Sequence, residues 1–159
     1  MGARAESLAK QFEAGAAEMT GALGTLTDAD WKKVTAAEKW SVGVTAHHVA
    51  AGHAGISGIV KTIASGQSIP NFTMATLDEL NATHAREHAG CTKAETLALH
   101  EKNGAAAAAV VRALSDAELD RSGTVLTGMP PLTTQQVIEG ILIKHITDHL
   151  GSIRKTVDG

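Results

Sequence analysis

At 159 residues and a formal charge of −3, the chain is the size of one folded domain, and it has no concentrated basic patch to hold nucleic acid. No apolar run reaches the roughly 18 residues of a membrane span, and a lone cysteine, Cys91, excludes an internal disulfide and suits a reducing cytoplasm. Apolar content of 43% leans on alanine, with two Trp, two Phe and no Tyr, a balance that favours closely packed helices over a β-sandwich.

The first predicted helix, 3–25, places Leu8, Phe12, Gly15, Met19 and Leu23 on one stripe. Its N-terminus turns amphipathic at once and lacks the apolar core of a signal peptide, so a cytoplasmic protein is expected. Thr27 reads as an N-cap opening a short turn. A second helix starts after Ser41 and runs to Ser65, with a stripe drawn through Val44, His48, Ala51, Gly55, Ile59 and Ile63. After a Gly/Pro connector at 66–71, a third helix spans 73–89 and ends at Gly90 as its C′ residue. Thr92-Lys-Ala-Glu95 is a capping box for a fourth helix reaching Leu114, and Ser115-Asp-Ala-Glu118 is another on a short turn. Residues 120–132 form a loop with an extended pair at 123–126. Thr133 then caps the last helix, 134–157. The pattern predicts an all-α fold over 1–159, a four-helix bundle with a short extra helix and a loop before the last helix.

Eight histidines are the unusual count. In the last helix the stripe is Val137, Ile138, Ile141, Leu142, His145, Ile146, His149, Leu150 and Ile153. His145 and His149 therefore stack one turn apart where a bundle expects leucine. Burying two imidazoles is unfavourable unless their nitrogens find partners, and one metal ion can satisfy both. An i, i+4 pair on a polar face would carry no such meaning. A third ligand must come from elsewhere, and His48 lies on the stripe of the second helix. His47 is turned about 100° from it, toward a flank or the surface, and His53 is too far round to share the metal. His84 and His88 sit among polar residues at a helix end, where a solvated C-terminal turn is expected. His100 reads as solvated, and Cys91 as a small buried or half-buried residue.

Two stretches, Trp40-Ser-Val-Gly-Val-Thr-Ala-His-His48-Val and His145-Ile-Thr-Asp-His149-Leu-Gly-Ser-Ile153, carry a resemblance. With Asp78-Glu-Leu-Asn81 adding a looser match, the chain resembles the DinB-like superfamily of metal-binding four-helix bundles. That group includes YfiT-like proteins and mycothiol- and bacillithiol-dependent S-transferases. The resemblance places the family's three metal ligands on His48, His145 and His149. The second motif departs from many members, continuing as Leu150-Gly-Ser152 where they have Gly-Gln-Ile, so contacts around the site are expected to differ. The chain ends after its last helix, without the further domain of some thiol-dependent isomerases, which makes maleylpyruvate isomerisation itself a less expected activity.

Three neutral imidazoles leave coordination positions open, the arrangement of a catalytic rather than a structural ion. Zn, Ni, Fe and Mn all remain open as the single divalent ion. The resemblance implies a low-molecular-weight thiol as cosubstrate, activated for attack on a small electrophile. Hydrolysis through a hydroxide on the ion is the alternative, with Asp148 and Glu139 as the nearest carboxylates in sequence, both facing away. A non-catalytic, metal-stabilised binding bundle is the third reading. The small-residue faces of the first two helices and the resemblance point to a homodimer.

Overall fold

Helix α1 (Ala3–Gly24) buries Leu8, Phe12, Met19 and Leu23, the stripe its three-and-four spacing defines. The structure, a computed structural model, describes residues 2–159. A five-residue helix, α2 (Asp28–Lys32), is closed by a capping box in which the Thr27 hydroxyl accepts from Asp30 N–H and Asp30 accepts from Thr27 N–H. Helix α3 (Val42–Ala64) begins at Ser41, whose side chain accepts from Val44 N–H. Its opening turns are buried on nearly every side. At Gly43 a Cβ would come within 2.3 Å of the Trp31 indole nitrogen, so only glycine lets α2 lie this close.

Helix α4 (Met74–Glu87) buries none of its own residues. It ends at Glu87 with His88 as C-cap, earlier than the sequence suggested. The expected C′ glycine, Gly90, is not in the left-handed region, which among glycines is occupied by Gly66 and Gly128. The chain reverses instead through a turn at 88–90. Helix α5 (Lys93–Arg112) and the short α6 (Asp116–Asp120) open on the two expected capping boxes, Thr92/Glu95 and Ser115/Glu118. The extended pair is shorter than expected and placed differently: β1 (Ser122–Gly123) pairs antiparallel with β2 (Leu132–Thr133), Ser122 opposite Thr133.

The last helix starts as α7 (Thr134–Val137), widens into a π-helical turn (Ile138–Ile143) and continues as α8 (Lys144–Asp158). Ile138, Leu142, Ile146 and Leu150 are all buried, four residues apart. On an α-helix that spacing drifts by about 40° a step, and the wider turn takes up part of the drift. The core face thus runs through these residues, which leaves His145 and His149 half-buried at its edge rather than inside it as expected.

The four long helices pack in the cyclic order α1, α5, α3, α8, so the second in sequence, α3, lies diagonally across from the first. Their shared core joins Phe12, Met19, Val49, Val60, Ile63, Val111, Leu142 and Ile153. On the outer surface Arg112 of α5 pairs with Glu6 and Glu13 of α1, both at 2.7 Å. Among the described residues no helix is long and apolar enough to cross a membrane.

Candidate metal centre

The buried face of α3 runs through Ala46, Val49, Ala50, His53, Ser57 and Val60, and of the stripe drawn from the sequence only Val44 and Ile63 are buried. Ala51 and Ile59 are half-buried and Gly55 is exposed. His48 therefore stands at the margin of the core, facing α8. There it meets His145 and His149, and one nitrogen from each of the three lies within 4.8 Å of the others. His48 Nε2 and His145 Nε2 are 2.9 Å apart. All three residues are half-buried.

The surroundings hold these rings in place. A tight loop before α3 is closed by an antiparallel bridge between Val34 and Ser41, with Thr35 N–H donating to Trp40 C=O at 2.9 Å. Lys39 turns the corner at φ 63°, an uncommon angle for a residue with a Cβ. That corner delivers Glu38 to α8: His149 Nδ1–H donates to Glu38 Oε2 and Ser152 Oγ–H to Glu38 Oε1, each at 2.6 Å. With Nδ1 carrying the proton, a neutral His149 presents its Nε2 lone pair away from Glu38, the usual support for a metal-binding imidazole. Ser152 belongs to the segment that departs from the family pattern. Burial works against the Glu38 carboxylate, yet hydrogen bonds from Ser152, His149 and Thr35 outweigh it and hold its pKa below the ordinary value.

Trp40 packs edge-on against His48 with ring centres 5.0 Å apart. At Gly52 a Cβ would lie 2.7 Å from His145 Cε1, so glycine makes room for that ring. Burial first, then the neighbouring histidines, push the pKa of His48 and of His145 down to about 3. Both rings are thus neutral, with lone pairs to offer, at any ordinary pH. Three imidazoles, one oriented by a carboxylate and one cradled by a glycine, fit a borderline divalent ion with an open position. Asp148 and Glu139 are exposed and take no part, and Asp148 pairs with Lys144 at 2.6 Å.

Three sequence expectations fail nearby. His47 lies on a flank of α3 and not at the surface, 8% exposed, because α4 packs over it. His84 and His88 are half-buried against it rather than solvated: His47 Nδ1 and His84 Nε2 are 2.8 Å apart, and the His88 ring stacks on His47. Together they form a second group of three, with one nitrogen of each within 4.8 Å of the others. Burial, then His47 and His88, lowers His84 to about 4. His100 is 1% exposed rather than solvated. Its Nδ1 lies 2.9 Å from His53 Nε2, and its Nε2–H donates to Ala16 C=O at 2.8 Å. His53 is not a member of the first cluster, and its Nε2 is taken by His100 instead. Cys91 is half-buried, and burial pushes its thiol pKa up, away from nucleophilic use. A cavity of about 600 Å³ between α1 and α5 is lined by Phe12, Ala16, Leu97, His100 and Gly104 and touches neither triad.

Several known structures share this architecture. YfiT from Bacillus subtilis, described as a probable metal-dependent hydrolase with an unusual four-helix bundle topology, superposes with a TM-score of 0.78 at 18% identity, over 98% of this chain and 87% of its own. Mycothiol-dependent maleylpyruvate isomerase superposes with a TM-score of 0.73 at 13% identity, and a mutant form of it with 0.75 at 12%. Each covers 94% of this chain, which spans 60% of the isomerase's length. No curated protein matches the sequence. At these identities the superpositions speak for the fold. The model of the DinB superfamily matches residues 11–153, nearly the whole chain, and the protein belongs to that family.

Proposed function

We propose that the protein is a metal-dependent S-transferase that joins a low-molecular-weight thiol to a small electrophile at His48, His145 and His149. The observation that carries this reading is the pairing of neutral imidazole donors with a fully engaged carboxylate. Both oxygens of Glu38 are occupied, by His149 and Ser152, so it is not free to take a proton from water. A thiol needs less help, since its pKa of about 8.5 is already near neutrality. A divalent ion bound there supplies Lewis acidity that lowers the pKa of a thiol reaching it. Zinc and nickel suit an all-imidazole set best, ahead of iron and manganese. The residues do the rest: Glu38 and Ser152 orient His149, Gly52 leaves His145 its place, and Trp40 shields one side of His48 from water. In the transfer the thiol proton leaves to solvent, a sulfur–carbon bond forms, and the electrophile's bond to its leaving group breaks. The mycothiol dependence of a structural neighbour supports a thiol partner.

A second reading, metal-dependent hydrolysis at the same three histidines, is favoured by the extent of the likeness to YfiT. The two are separated by incubating untagged, metal-loaded protein with monochlorobimane and each of several thiols, and in parallel with activated esters. Conjugation confined to one thiol and abolished by His149→Ala supports the transferase. Ester turnover without thiol conjugation overturns it in favour of the hydrolase, and no turnover of either kind leaves a binding bundle.

A further inference from the structure

The two histidine triads are built to one plan. Each takes an i, i+4 pair from one helix, His145 and His149 from α8 or His84 and His88 at the end of α4. Each adds one ring from α3. The α3 members are consecutive, His47 and His48, and a helix sets neighbours about 100° apart, so each faces a different flanking helix. The triads lie side by side, with the His48 and His84 rings 5.8 Å apart.

We propose that His47, His84 and His88 form a second site for a divalent transition-metal ion, which clamps the C-terminal end of α4 to α3. Three features of the cluster call for a ligand. First, the fold gives the three rings a single hydrogen bond among themselves, between His47 and His84, although each ring has a donor and an acceptor to satisfy. Second, His84 Nδ1 is buried with no hydrogen-bond partner among the described residues. Third, α4 buries no residue of its own, so little apolar packing holds it, yet its last turn is drawn onto α3 through these rings. An ion that uses the lone pairs resolves the clustering and supplies the missing attachment. The donor set, imidazole without carboxylate, selects zinc, nickel, cobalt or copper over magnesium or calcium.

His88 closes the site. Its ring now stacks on His47 at 4.1 Å and 21°, which keeps the two rings' lone pairs nearly parallel. It sits at the half-buried C-cap of α4, where one of its nitrogens already lies within 4.8 Å of a nitrogen of each of the other two rings. The site does not depend on the first triad being occupied.

The test uses untagged, chelator-stripped protein and zinc chloride alone, read by native mass spectrometry, calorimetry and hydrogen exchange. The wild type should bind about two equivalents, and His84→Gln, His88→Gln and the His145→Ala/His149→Ala double variant about one each. Zinc should slow amide exchange across α4 in the wild type and in the His145→Ala/His149→Ala variant, but not in His88→Gln. His88→Gln changes a half-buried cap position, so its fold is preserved and circular dichroism verifies it. One equivalent in the wild type with unchanged stoichiometry in His88→Gln overturns the second site. So does zinc that leaves α4 exchange unaltered in the His145→Ala/His149→Ala variant.

Discussion

Glu38 accepts from His149 and Ser152 at once, so the orientation of one ring of the proposed metal site depends on a residue outside the triad. Glu38→Gln keeps the size but lets its amide nitrogen compete for position, and weakens the hydrogen bond that orients His149. Losing such a partner typically weakens metal binding by about 10- to 100-fold. Competition against a chelator of known affinity should show that loss with helicity intact; an unchanged affinity would remove Glu38 from the site. Gly52→Ala makes a sharper test of geometry. The added methyl meets His145 Cε1 at 2.7 Å, and the ring must swing aside. Binding at the first triad should fall by about tenfold or more while the melting temperature stays close to wild type. Glu38 left no trace in the sequence because it sits in a loop, where no periodicity says which way a side chain faces. The His84/His88 pair was visible as a spacing, but its polar neighbours gave no hint of the helix it would rest against.

The loop that carries Glu38 depends on Lys39 at φ 63°. Lys39→Val places a β-branched residue where even an unbranched one is strained, and should cost on the order of 1 kcal/mol, read by chemical denaturation. Lys39→Asn should be tolerated, since asparagine adopts that region readily. Equal stability of the two variants would mean that this corner is not what holds the loop. Cap by cap, the helix starts at Thr27, Ser41, Thr92, Ser115 and Thr133 were legible, because a side-chain oxygen three residues before an amide is a local matter. The π-helical turn was not. Its wider geometry keeps Ile138 and Leu142 buried where the turn packs against α1 and α3, and a regular period of 3.6 drawn through it moves His145 and His149 too far into the core.

Over the whole molecule, buried neutral histidines make stability depend on pH. His48, His53 and His145 have pKa values near 3 and His84 near 4, each lowered first by burial, against an ordinary 6.5. Between those limits the unfolded chain takes up protons that the fold excludes, so stability falls as pH drops below about 6.5 and is level above it. The melting temperature of metal-free protein should be similar at pH 7 and pH 8 and lower by roughly 5 °C or more at pH 5. A flat profile down to pH 5 would show that these rings are not held neutral.

Membership of a helical bundle, the limits of its long helices and the trio His48, His145 and His149 could be read from residue order alone. Apolar spacing, capping boxes and motif register are all properties of neighbours along the chain. The order of helices around the core, the burial of His47 and His100, the second triad and the hold of Glu38 on His149 were decided by tertiary structure. Each is a contact between segments tens of residues apart, made when α3 packs between α5 and α8 with α4 laid across it, and helical periodicity says nothing about which helix arrives at a given face.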